Sequence, residues 1–194
     1  MTTLIYIRSS KDGSRYIIGV ELDGVRTAYC VDGKTKELVS DTSIGEELDL
    51  DVLFALKESD EKYRSMKKAL SLLAYADNNK RTLYMKLLRA GFSKEVSSIT
   101  VSECESLGYI NEQNQLERLI LKEANGALRG PRRIIEKLCA KGYKRPEIEE
   151  ILSSLEECGE IDFRENFDKL LEKHSDGTEE CKRALMYKYG YRNE

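Results

Sequence analysis

Between residues 129 and 145 the chain carries Arg129, Arg132, Arg133, Lys137, Lys141, Lys144 and Arg145 against a single acid, Glu136. Guanidinium and ammonium groups at this density hold anions: the oxygens of a phosphate or the carboxylates of a protein surface. Arg132 and Arg133 follow Gly130-Pro131 and so fall in the first turn of a helix. That is the wrong end for stabilising the helix dipole, which favours acidic groups there. Basic side chains beside the free N–H groups of a helix start point instead to an anionic partner. Two further clusters hold equivalent places: Lys80, Arg81, Lys86 and Arg89 before it, and Lys182, Arg183, Lys188 and Arg192 after it. All are candidate contacts to a protein partner or to DNA. The competing expectation is a set of solvated basic faces laced with Glu–Lys pairs.

Little else in the chain suggests chemistry. There is no G-x-x-x-x-G-K-[ST] and no G-x-G-x-x-G, so nucleotide binding is not indicated. The one histidine, His174, shares a helical face with Phe163, Phe167 and Leu171 and reads as structural. General base work would need a positioned partner and a pocket. Cys30, Cys104, Cys139, Cys158 and Cys181 are scattered, with no C-x-x-C pair. They read as buried reduced thiols, not as metal ligands. The expectation is a protein that binds without catalysing, with no metal or cofactor. Tyr109, Tyr143, Tyr187, Tyr189 and Tyr191 sit at helix ends or loops, where packing explains them at least as well as base stacking.

The basic helix is held in place by a pattern that recurs. Pro131 opens it, Ile134, Ile135, Leu138 and Cys139 stripe it, and Gly142 closes it. Lys86–Phe92 reads K-L-L-R-A-G-F, Lys137–Tyr143 reads K-L-C-A-K-G-Y and Leu185–Tyr191 reads L-M-Y-K-Y-G-Y, at offsets of 51 and 48 residues. The stretch 103–110, E-C-E-S-L-G-Y-I, is matched 51 residues later by S-L-E-E-C-G-E-I. Such phasing is the mark of tandem repeats. Each copy reads as three helices: 61–110, 111–161, and a third, 162–194, that has only two. In the first copy Met66, Ala69, Leu70 and Leu73 stripe one helix, Leu83, Leu87 and Leu88 the next, and Val96, Ile99 and Leu107 the last. The Asp77-Asn78-Asn79 stretch, Ser93 and Thr178 are candidate caps. Units this short bury little alone, so they should stack into an elongated curved array.

Residues 1–60 differ. They carry the chain's acidic excess, whereas the remainder is slightly basic within a total net charge of −3. Leu4, Tyr6 and Arg8 alternate with Ile5 and Ile7. Asp12-Gly13 and Asp23-Gly24 are hairpin turns, and Tyr16, Ile18, Val20 and Leu22 alternate between them. This predicts a three-stranded antiparallel meander that needs a covering helix. Residues 51–57 read as a short helix, and a separate helical pattern starts near Asp60. The fold class is thus mainly α, with tandem three-helix repeats behind a small β-rich N-terminal domain. The chain lacks a long apolar run and its start, M-T-T-L-I-Y-I-R, lacks a secretory pattern, so a cytoplasmic protein with no membrane contact is expected.

The phased helix endings, together with R-G-P-R-R-I-I-E-K-L-C-A-K-G-Y and L-E-E-C-G-E-I-D at 155–162, resemble the RecX family of bacterial recombination regulators. The resemblance covers roughly residues 65–192. The chain departs from the family at Asn111-Glu112 and Leu116-Glu117, where members often carry an acidic pair and an aromatic-Ala. The resemblance implies a regulator that lies in the groove of the RecA–DNA filament and modulates the recombinase, usually by inhibition; a monomer is expected. Single-stranded DNA is a second implied contact. Stand-alone nucleic-acid binding and a generic interaction scaffold are the alternatives.

Overall fold

The computed structural model describes residues 1–174 and 176–191. Its described residues form three strands followed by nine α-helices, grouped in two compact units. The first unit comprises 1–76 and 84–106; the second comprises 77–83 and the residues from 107 onward.

In the first unit, β1 (Thr2–Ser9), β2 (Tyr16–Leu22) and β3 (Val25–Val31) form an antiparallel sheet in the order β1-β2-β3. The turns fall at Asp12-Gly13 and Asp23-Gly24. Asp12 accepts hydrogen bonds from Ser10 Oγ at 2.5 Å and Ser14 Oγ at 2.9 Å. These bonds pull its pKa down to about 2. The expected alternation of β1 does not hold, because a bulge shifts its register between Leu4 and Tyr6. Leu4 and Ile7 therefore face the same core, with Ile18, Val20 and Val31. The Tyr6 ring lies against Gly19, where a Cβ would stand 2.3 Å from it. The bulge thus lets one strand place an aromatic over a glycine and still keep two aliphatics in the core.

After the short α1 (Gly33–Glu37), α2 runs unbroken from Leu50 to Tyr75. The separate helices read at 51–57 and from about 60 are one element. No Gly or Pro interrupts the run, and the charged stretch at its middle is used. Asp60 accepts the Cys30 N–H at 3.0 Å, and Ser59 Oγ accepts that of Asp32 at 3.4 Å. These side chains cover part of the edge of β3. Arg64 pairs with Asp60 at 2.8 Å. α2 also packs on α4 (Lys94–Ser106) through Ser65, whose hydroxyl lies 2.9 Å from that of Thr100. Ser93 caps α4, accepting from Val96 N–H.

α3 (Lys80–Arg89) has its first turn in the second unit and its remainder in the first. The second unit continues with α5 (Glu112–Leu121), a π-turn (Lys122–Gly126), α6 (Pro131–Ala140), α7 (Arg145–Glu157), α8 (Phe163–His174) and α9 (Glu179–Tyr189). Its main core is built by Leu116, Ile120, Ile134, Leu138, Tyr143, Ile148, Leu152, Leu155 and Ile161. Leu128, Leu170 and Leu185 form a smaller one. Asn111, Asn79 and Thr178 act as side-chain caps, for α5, α3 and α9. No helix is long and apolar enough to cross a membrane among the described residues.

Candidate interaction face

The recurring ending, a glycine followed by an aromatic residue, is a helix cap. At the end of α6, Gly142 takes φ +98°, its N–H donates to Cys139 O, and the Tyr143 N–H reaches back to Leu138 O at 3.2 Å. This is a Schellman arrangement, in which glycine adopts the left-handed conformation without steric cost. Phe92 N–H reaches Leu87 O after α3, and Tyr191 N–H reaches Met186 O after α9. The aromatic that follows each glycine is an anchor. Tyr143 is buried and its hydroxyl meets Gln115 Oε1 at 3.3 Å. Tyr191 packs on Phe167 with ring centroids 4.8 Å apart, and its hydroxyl donates to Leu128 O at 3.0 Å. Leu128 has a left-handed backbone (φ 51°), uncommon for a non-glycine residue and fixed here by that bond.

The capped ends of α9 and α6 then each meet the start of the second helix of the preceding copy. The carbonyls of Tyr189 and Gly190 accept the N–H groups of Gly130 (2.9 Å) and Arg132 (3.3 Å) at the start of α6. One copy earlier, Asn79 Nδ2 donates to Lys141 O at 3.0 Å, and the Arg81 stem crosses Gly142. The N–H groups beside Arg132 and Arg133 are therefore not free to receive a phosphate. This corrects the expectation of an open anion site at that helix start.

The arginines arrive already paired. Arg132 and Arg133 both bind Glu136, at 3.1 Å and 3.0 Å, and hold its carboxyl below the usual range. The Arg132 guanidinium also lies 6.0 Å from the centroid of the exposed Tyr187 ring. Lys144 pairs with Glu147 at 3.0 Å and Arg145 with Glu149 at 2.7 Å. Lys80 donates its N–H to Glu112 at 2.7 Å and holds the same carboxylate with its amine.

The sequence reading misses the main partner. Glu123, in the π-turn, is 4 % exposed and takes both Arg129 and Lys137, the latter at 2.5 Å. Its carbonyl also accepts the Arg129 N–H at 3.0 Å. A π-turn widens the helix by one residue, and here it turns the carboxylate inward. Asn125, in the same turn, donates to Glu160 O at 2.9 Å and accepts from Asn166 at 2.9 Å. Arg129 and Lys137 are thus first of all counter-ions of a buried acid, which needs them. The spacing of Glu123 ahead of two cations on facing segments was the signal that could have revealed it.

Lys141 is exposed and pairs with no carboxylate among the described residues. Its pKa is lowered by burial of its stem, then by Lys137 and Lys122. Lys86 and Arg89 lie in the first unit. Lys182, Arg183 and Lys188 lie on α9, Lys188 over the Tyr189 ring at 5.6 Å. Arg192 lies outside the described residues. His174 is exposed and stacks at 6.3 Å on Tyr189, a ring packed on the same cluster as Phe167 and Leu171. Of the five free thiols Cys104 is buried and Cys158 is exposed, so the expectation of uniformly buried cysteines fails at the end of α7.

The chain is similar to the crystal structure of a regulatory protein RecX, with a TM-score of 0.71 and 18 % sequence identity, over 98 % of this chain and 93 % of that one. A structure of RecX from Lactobacillus salivarius gives a TM-score of 0.48 and 16 % identity, over 68 % of this chain and 97 % of that one. No family model and no curated protein sequence matches. Along nearly its whole length the chain therefore shares the fold of that regulatory protein RecX.

Proposed function

We propose that this chain belongs to the RecX family and regulates the RecA recombinase by binding the RecA–single-stranded DNA filament in its groove. It acts by binding and not by catalysis, as a cytoplasmic monomer, and the expected direction is inhibition of strand exchange and ATP hydrolysis. The observation that carries this reading is the fold likeness along nearly the whole chain. The phased glycine caps support it independently, because they reproduce the repeat plan on which the sequence resemblance rests. Repeated junctions present basic side chains at regular intervals, which suits a partner that is itself periodic.

Stand-alone nucleic-acid binding fits less well. Glu112, Glu123, Glu136, Glu147 and Glu149 are interleaved with the cations that would have to track a phosphate backbone. The deciding experiment is ATP hydrolysis by the cognate RecA on single-stranded DNA, with and without this protein, together with co-sedimentation of the filament. A dose-dependent fall in hydrolysis with co-sedimentation is expected. An unchanged rate with no co-sedimentation overturns the reading.

A further inference from the structure

Beside α5 the second unit has a depression of about 520 Å³, lined among others by Asp77, Tyr109, Asn114, Glu117, Arg118 and Leu121. That volume lies within the roughly 300–1,000 Å³ of ligand pockets. The groups that line it are unevenly spent. Arg118 holds Asp77 at 2.7 Å, but both side chains are about two-thirds exposed. An ion pair so well hydrated contributes little. Glu117 is half-buried and holds no cation among the described residues. In this it differs from the other shielded acids of the unit. Glu112, Glu123 and Glu147 each hold a lysine or an arginine. Tyr109 is 52 % exposed and its ring meets no other ring or cation among the described residues. The packing that explains Tyr143 and Tyr191 therefore does not explain Tyr109. Asn114 gives its backbone N–H to Asn111 at 3.0 Å, while its side-chain amide has no partner among the described residues. The wall behind these groups is fixed, because the buried Gln115 accepts the Tyr143 hydroxyl at 3.3 Å.

We propose that this depression receives the guanidinium of an arginine presented by a protein partner. The sign follows from the lining, where Asp77 and Glu117 stand against Arg118 alone. A phosphate or carboxylate entering here would be set against an unpaired acid, at a like-charge cost. The Tyr143 hydroxyl in the wall is raised by burial first and then by Glu112 and Asp77, as a negative field requires. The kind of cation follows from the shape of the acceptors. A guanidinium can lay its plane on the Tyr109 ring while its fork of N–H groups meets the Glu117 carboxylate and the Asn114 carbonyl. An ammonium is a point charge and cannot serve all three in one plane. Leu121 offers an apolar wall to the aliphatic stem. The chain already uses this combination once within itself. The Arg132 guanidinium lies 6.0 Å from the Tyr187 ring centroid while it holds Glu136 at 3.1 Å. The inference goes beyond the filament reading: it names the side chain a partner must offer and does not depend on which protein carries it.

The test titrates the full, isotope-labelled chain with N-acetyl-arginine amide and, separately, with N-acetyl-glutamate amide, and reads amide chemical shifts. The arginine probe should bind in the millimolar range and move the Asn114 side-chain amide together with the backbone amides of Tyr109, Glu117 and Arg118. The glutamate probe should leave them in place. Glu117→Gln should weaken the arginine probe about tenfold, and Tyr109→Ala about threefold. Glu150→Gln, which removes an exposed acid of α7, should change nothing. Because the Glu117 carboxylate holds no partner among the described residues, Glu117→Gln should unfold at the wild-type temperature; Asn114→Ala, with about threefold weakening, is a second variant should it not. Absence of shifts with the arginine probe, equal shifts with the glutamate probe, shifts confined to other residues, or wild-type affinity in Glu117→Gln each overturns the proposal. The RecA assay fails separately. Unchanged ATP hydrolysis with the arginine shifts intact refutes the function and leaves the pocket, and inhibition without arginine shifts does the reverse.

Discussion

The contact between the end of α9 and the start of α6 can be tested with one methyl group. Gly190 has φ +82°, and a Cβ added there would stand 2.5 Å from the Arg133 nitrogen and 2.6 Å from its Cβ. Gly159 closes α7 with nearly the same conformation, φ +75°, but a Cβ there meets nothing within 4 Å. Alanine at either position bears the left-handed backbone cost, about 1–2 kcal/mol. At Gly190 the clash is with backbone and cannot be relieved by a side-chain swing, so the chain must retreat. The bonds from Gly130 N–H to Tyr189 O and from Arg132 N–H to Gly190 O are then lost, at about 1 kcal/mol net each. Gly190→Ala should therefore destabilise by about 3–4 kcal/mol and Gly159→Ala by about 1–2. Urea unfolding at 25 °C gives both values, and amide exchange at Gly130 and Arg132 should quicken only in the first variant. Equal destabilisation by the two substitutions, or unchanged exchange at Gly130, would refute the argument that this close approach holds the copies together.

Two further outcomes follow from the same residues. Glu123→Gln leaves Arg129 and Lys137 without their buried counter-ion and should cost about 2–3 kcal/mol in thermal unfolding, less than for a fully buried pair because both cations are partly exposed. No loss of stability would show that the carboxylate is dispensable. Burial pushes the Tyr191 hydroxyl up to about 12. The folded state thus keeps a proton that the unfolded chain loses near pH 10, so the contribution is fully present below pH 10 and is lost as pH rises towards 12. Burial also raises Tyr143 and Tyr29, so absorbance at the tyrosinate wavelength should show several late-titrating groups, the latest of which is missing in Tyr191→Phe; identical titration curves would refute it.

What was legible in the sequence depended on whether the deciding interaction was local. The bounds of α6 follow from Gly130-Pro131 and Gly142, and the structure has them at Pro131 and Ala140. Asn79, Ser93 and Thr178 cap the helices they precede, again within three residues. The break expected near residue 60 was wrong because Asp60 and Ser59 are spent on the edge of β3, about thirty positions away in sequence. The Leu4–Tyr6 alternation failed because of a bulge that only the pairing with β2 creates. At the interaction face the basic residues themselves were evident, but their partners were not. Glu123 looked like one acid in a loop-like K-E-A-N-G stretch, and only the π-turn turns it inward to Arg129 and Lys137.

The placement of charge at helix starts, which first suggested an anion site, has a structural cause. The first turns of α3 and α6 carry Lys80-Arg81 and Arg132-Arg133, against the preference of the dipole. In both cases something negative already sits there. Glu112 takes the Lys80 N–H, and the carbonyl end of α9 takes those of Gly130 and Arg132. With the start of the helix satisfied from the next copy, acidic side chains are no longer required, and basic ones become tolerable. The first turn of α9 carries Glu179 and Glu180 instead. Among the described residues no following helix end reaches it, and the ordinary rule returns. The sign of the charge at each second-helix start therefore reports whether another copy docks upon it. The arginines of α6 follow from the repeat junction.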